Sequence, residues 1–132
     1  MASIFSKIIK GEIPSYKIAE TDQFYAFLDV FPVAKGHTLV VPKKEIDYIF
    51  DLDDDLLAGL HVFSKKIAKA IEKAVPCKRI GTAVVGLEVP HAHLHLIPIN
   101  NISDISFEHP KLKFSETEFK EILEKIKANL EL

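Results

Sequence analysis

Cysteine is nearly absent: Cys77 stands alone in the chain, so no internal disulfide can form. A reducing compartment is expected, and the thiol is left to pack after a helix. No apolar run approaches the roughly 18–20 residues that a membrane span needs. Lys7, Lys10 and Glu12 interrupt the apolar positions at the N-terminus, which therefore lacks a signal-peptide core. The cytoplasm is the expected location, and the sequon Asn101-Ile102-Ser103 is accidental in that setting. Charge of one sign is missing too. The 17 basic and 19 acidic residues leave a formal net charge of −2, which argues against nucleic acid or an anionic membrane as the main partner. Repeats, low-complexity tracts and linkers are absent, and residues 1–132 fit one domain. What is there is ordinary for a globular protein, with 48% hydrophobic and 27% charged residues.

The order of apolar patterns predicts an α+β fold with a long central helix and helices near both ends. Ile4, Phe5, Ile8 and Ile9 share a helical face that ends at Gly11, and Ile13-Pro14 breaks the helix before an extended stretch at Tyr16 to Ala19. Runs rich in β-formers at Phe24–Asp29 and Thr38–Val41 predict an antiparallel meander, with turns at Phe31-Pro32 and Lys35-Gly36. From Asp53 to Val75, apolar residues recur every three or four positions behind an acidic start, which predicts the long helix that Pro76 ends. Arg79–Val85 reads as a buried strand that turns at Gly86 into a second strand bracketed by Pro90 and Pro98, giving about five strands in all. Ser115 and Glu118 form a capping-box pattern ahead of Phe119, Ile122, Leu123, Ile126 and Leu130, which predicts a closing amphipathic helix.

The informative stretch is Pro90-His91-Ala92-His93-Leu94-His95-Leu96-Ile97. On a strand, a period of two sends the histidines to one exposed face and Ala92, Leu94 and Leu96 to the core. Histidine has low β-propensity and offers little packing gain, so three in strict alternation point to chemistry. Metal binding is one option. Same-face neighbours lie about 6.7 Å apart and the outer pair about 13 Å, too far for all three to hold one ion at about 2.1 Å. Two of them with His37 remain a possible set, although no carboxylate is convincingly spaced to complete it. Nucleophilic attack on phosphorus is the favoured option, because neutral imidazole attacks without first losing a proton and neighbouring imidazoles can bond the phosphate oxygens. His93, flanked on both sides, is the natural nucleophile. His61 and His109 carry no comparable context and are expected to have no function.

These residues resemble the histidine triad (HIT) superfamily, whose motif His-x-His-x-His plus two apolar residues is matched by His91 to Ile97. Ile4 to Pro14, Phe27-Leu28-Asp29 and Gly36 to Lys43 also resemble family segments, in the family's order. The resemblance implies an α+β sheet fold paired into a homodimer, and a hydrolase or transferase acting on phosphoramidates, dinucleoside polyphosphates or nucleotide conjugates. By motif position, His93 would attack the α-phosphorus to give a nucleotidyl-histidine. His95 would lie near the phosphate or leaving group, and His91 and His37 would form a supporting pair. Asp29 would accept from the ribose hydroxyls; Ile4, Phe5, Ile8, Phe27, Leu28, Val30 and Leu39 would enclose the base, although each could equally be a core residue. Gly86 fits the phosphate loop.

Where the sequence departs from the family, expectations change. Many members carry Cys-x-x-Cys and a further histidine that form a zinc site, but this chain has Ser3, Ser6 and Glu45 at those positions, so neither structural zinc nor any cofactor is expected. Glu88 occupies a place where relatives carry a hydroxyl that contacts phosphate, and its charge would repel a phosphate. A nucleotide-binding or scaffold protein without chemistry is therefore the alternative reading, and a metal-dependent protein a third.

Overall fold

The computed structural model describes residues 2–132. Helix α1 (Ile4–Ile9) begins where the Ser3 hydroxyl accepts the Ser6 amide at 3.0 Å, and the chain leaves it through Gly11 at φ +80°. Strands β1 (Lys17–Glu20), β2 (Phe24–Leu28) and β3 (Thr38–Pro42) form the expected antiparallel meander. Helix α2 (Asp54–Ala74) starts at Asp53, whose carboxylate accepts the Leu56 amide at 2.8 Å, and ends just before Val75-Pro76. It carries the chain past the meander to β4 (Arg79–Ala83) at the sheet's far edge. Strand β5 (Leu94–Ile99) then returns between β3 and β4, giving the all-antiparallel order β1-β2-β3-β5-β4. Helix α3 (Glu116–Ala128) opens with the expected capping box of Ser115 and Glu118.

Three local expectations need correction. The Arg79–Val85 segment is not a buried strand: β4 stops at Ala83 and is partly exposed, because an edge strand has a neighbour on one side only. Pro98 lies within β5 rather than bounding it. The pairing of β3 with β5 stops at Thr38 opposite Leu96, so Pro98 lies beyond that ladder, where the β3 side asks for no amide donor. The histidine strand itself begins only at Leu94. Before it, the His91 amide bonds the Val89 carbonyl at 2.8 Å and the Ala92 amide bonds the Ile46 carbonyl at 2.7 Å, and these loop contacts take the place of a ladder.

Alternation along the strands separates two apolar layers. Phe24, Ala26, Leu28, Val40, Leu94 and Leu96 face α2 and α3, meeting Leu60, Phe63, Ile67 and Ile71 of the first and Phe119, Ile122 and Ile126 of the second. Ala92 lies in this layer too, as its alternation with the histidines requires. Tyr25, Phe27, Leu39 and Val41 face the other way, against Phe5 and Ile8 of α1. Each fully buried Leu, Ile or Phe contributes about 1.5–3 kcal/mol, so the larger layer supplies most of the stability. Gly36 delivers His37 to the smaller one. Its φ of +90° suits glycine alone, and a Cβ there would sit 3.0 Å from Val75 Cγ2 and 3.3 Å from Pro98 Cγ.

Candidate active site

The four predicted histidines converge, but they are buried rather than set in an exposed row. His91 is 0%, His37 2%, and His93 and His95 each 7% exposed. Their cover comes from distant parts of the chain, which is why strand periodicity does not reveal it. The Phe5 ring meets His93 edge-on at 5.0 Å and His91 at 5.8 Å, and the Phe107 ring meets His95 at 4.6 Å.

The hydrogen bonds assign a proton to one nitrogen of each neutral ring, because a carbonyl can only accept and an amide can only donate. The Val33 amide donates to His37 Nδ1 at 3.1 Å, so the proton of neutral His37 is on Nε2. That Nε2–H donates to His95 Nδ1 at 2.9 Å, which puts the His95 proton on its Nε2. His91 Nε2–H donates to the Pro42 carbonyl at 2.7 Å, leaving Nδ1 to accept from the Ser3 hydroxyl at 2.8 Å. His93 is the exception. Its Nδ1–H donates to the His91 carbonyl at 2.7 Å, so Nε2 carries an uncommitted lone pair. The His93 and His95 ring centroids are 5.1 Å apart. A bare Nε2 thus stands beside an Nε2–H donor, an arrangement suited to attack on an electrophile whose developing charge needs a hydrogen bond.

Burial disfavours the charged forms of His37, His91 and His95. It lowers the pKa of His37 to about 4, with the Lys111 charge adding to the effect. It lowers that of His95 to about 3, helped by His37, His93 and Lys111 and opposed by Asp29. His91 is also lowered by burial, against the opposing pull of the Pro42 carbonyl and Glu45.

Asp29 directly follows the last residue of β2. Its Oδ1 accepts the Phe31 amide at 2.8 Å and its Oδ2 lies 3.5 Å from His37 Nε2. The expected base-enclosing residues divide. Phe5, Ile8, Phe27 and Leu39 form the small apolar layer, while Ile4 and Val30 remain 48% and 49% exposed. Leu28 does not belong with them: consecutive strand residues face opposite ways, and Leu28 is committed to the α2 side. Gly86, at φ +72°, lines a cavity of about 390 Å³ with His93, Tyr48 and Phe50. Glu88 is exposed on the same loop and does not line that cavity. His61 lines it and bonds the Leu57 carbonyl of its own helix, whereas His109 is exposed.

Two residue sets bear on metal binding. Ser3, Ser6, Glu45 and His91 do meet, but as a completed hydrogen-bond network. Glu45 Oε1 accepts the Ser3 amide at 2.6 Å and the Ser6 hydroxyl at 2.7 Å, which brings its carboxyl down to about 2. With no thiolate present and both His91 nitrogens engaged, this set does not fit a closed zinc site. The second set supplies the carboxylate that sequence spacing does not reveal: one ligand atom each from Asp29, His37 and His95 lie within 4.8 Å of one another. These could hold an ion only by giving up the His37–His95 hydrogen bond. Sequence reading also misses Phe107 and Lys111, whose segment has no periodicity to mark it. The one available signal for the serine network is Ser3 standing at the helix start.

The chain belongs to the histidine triad family: the HIT domain model matches residues 10–102. It is 42% identical over 98 residues to adenosine 5'-monophosphoramidase HNT1 of Saccharomyces cerevisiae, covering 74% of this chain and 62% of that one. It is 36% identical to adenosine 5'-monophosphoramidase hnt1 of Schizosaccharomyces pombe, over 98% of this chain and 99% of that one. Among solved structures, a Hit-like protein involved in cell-cycle regulation from Bartonella henselae superposes with a TM-score of 0.84 at 34% identity, covering 97% and 96% of the two chains.

Proposed function

We propose that the protein is a nucleotide hydrolase or transferase acting at the α-phosphate of a phosphoramidate or dinucleoside polyphosphate. The observation that carries this reading is the proton placement, in which His93 alone presents an unprotonated Nε2. The Nε2 lone pair attacks the α-phosphorus, and the bond to the leaving group breaks with its electron pair departing on that group: a phosphate leaves as the anion, and an amine leaves after taking up a proton from solvent. The resulting nucleotidyl-imidazolium keeps its Nδ1–H on the His91 carbonyl, and attack by water then breaks the P–N bond, returns the pair to Nε2 and releases the water's proton to solvent. His95 Nε2–H donates a hydrogen bond at the leaving-group side, and His37 fixes the His95 tautomer. Asp29 receives the ribose hydroxyls, with Phe5, Ile8, Phe27 and Leu39 on the base. The relatives' monophosphoramidase names support the substrate class.

A homodimer belongs to this reading. Strand β4 leaves an open sheet edge, and the exposed apolar residues Tyr48, Phe50, Val62, Val84, Val85 and Leu87 offer surface that a second copy would cover. The test of function incubates wild type and His93→Ala with adenosine 5'-phosphoramidate and a diadenosine polyphosphate in the presence of a chelator, followed by intact-protein mass. Turnover and a nucleotidyl adduct in wild type, both lost in the variant, are expected. Tight nucleotide binding with neither would favour the non-catalytic reading.

A further inference from the structure

The segment between β5 and α3 folds back over the histidines and brings a cation with it. The Leu112 amide bonds the Pro32 carbonyl at 2.8 Å, tying the segment to the loop that holds Asp29 and His37. One residue earlier, Lys111 Nζ donates to the Phe107 carbonyl at 3.0 Å and lies 5.5 Å from the centre of the Phe107 ring. That ring packs against His95 at 4.6 Å and His37 at 6.1 Å. The ammonium is therefore held by a backbone anchor, a carbonyl and an aromatic face at the His95 end of the site. Its field reaches both histidines, disfavouring protonation of each.

We infer that Lys111 is a specificity-determining residue whose charge stabilises a phosphate-bearing leaving group. The inference rests on the function proposed above, in which His95 marks the leaving-group side. The balance of the step supports it. When His93 Nε2 bonds to the α-phosphorus, the P–O bond breaks and its electron pair stays on the departing phosphate. That phosphate leaves as an anion and takes no proton from the protein. A departing amine requires a proton, and a buried His95 held neutral beside a lysine is a poor source of one. Lys111 therefore favours phosphate over amine as the leaving group, and its contribution weakens with salt because the side chain is exposed.

The experiment compares wild type, Lys111→Gln and Lys111→Arg. kcat/KM is measured on a diadenosine polyphosphate and on adenosine 5'-phosphoramidate, and calorimetry gives the affinities for ADP and AMP. The Gln variant should lose about tenfold on the polyphosphate, with less than about twofold change on the phosphoramidate. It should also lose the wild-type preference for ADP over AMP, and Arg should restore both. An unchanged substrate ratio together with an unchanged ADP preference in Lys111→Gln overturns the inference. If wild type turns over neither substrate, the proposed function fails, and the ADP-to-AMP affinity ratio then decides the role of Lys111.

Discussion

The two faces of the sheet are built on different principles. Toward α2 and α3 the layer is almost wholly apolar: buried Thr38 donates its hydroxyl to the Gly36 carbonyl, and Ser64 Oγ on α2 is the one buried side-chain polar atom without a partner among the described residues. Toward α1 the apolar layer is small, and beside it four buried imidazoles exchange hydrogen bonds with carbonyls, an amide, a serine and one another. The first face depends on volume, so it should tolerate changes of chemistry that preserve shape and resist cavities. The second depends on which nitrogen holds each proton, so an isosteric change should disturb function more than folding.

Substitution can break that contrast. His93→Ala should reduce kcat by at least about a thousandfold, as loss of a nucleophile does, while the urea midpoint shifts little; a large loss of stability would mean the histidine face also carries the fold. Leu60→Ala, at a fully buried site on α2, should cost about 2–5 kcal/mol in denaturant titration. Its kcat per folded molecule should stay near wild type, and a matching loss of kcat would show the faces to be coupled. Ser3→Ala should be milder, because it removes both the α1 cap and the donor to His91 Nδ1. A stability loss of about 1 kcal/mol is expected, with KM raised more than kcat is lowered if α1 carries part of the proposed base wall.

A further contrast concerns pH. His37 and His95 have folded pKa values of about 4 and about 3, below the ordinary histidine value of 6.5. Between those limits the unfolded chain binds more protons, so stability is full above about pH 6.5 and declines as pH falls toward the folded values. Melting temperatures measured from neutral pH down to about pH 5 should trace this decline before the carboxylates titrate. His37→Asn should flatten the curve, and an identical curve in the variant would place the proton uptake elsewhere.

Legibility in the sequence follows the same division. The α2 face was readable because helix period, the acidic start at Asp53, the Ser115 capping box and strand alternation are local signals. The motif histidines were readable as one cluster, and Asp29 as a polar residue closing an apolar strand. Their burial was not, because Phe5 and Phe107 cover them from far along the chain. Ser3, Ser6 and Glu45 appeared only as departures from a pattern, since the bonds that join them to Glu45 and His91 span 39 to 88 residues. Leu28 was misplaced by reading a segment as a unit when period two splits it. Lys111 depends on one backbone bond to Pro32 that no sequence pattern announces.

Proton placement on the histidine face is the central claim, and a long-range proton–nitrogen correlation spectrum of the imidazoles reads it directly. At about pH 8, above the ordinary histidine range, His93 should carry its proton on Nδ1, and His37, His91 and His95 should carry theirs on Nε2. A spectrum with the His93 proton on Nε2 would remove the free lone pair and contradict the account.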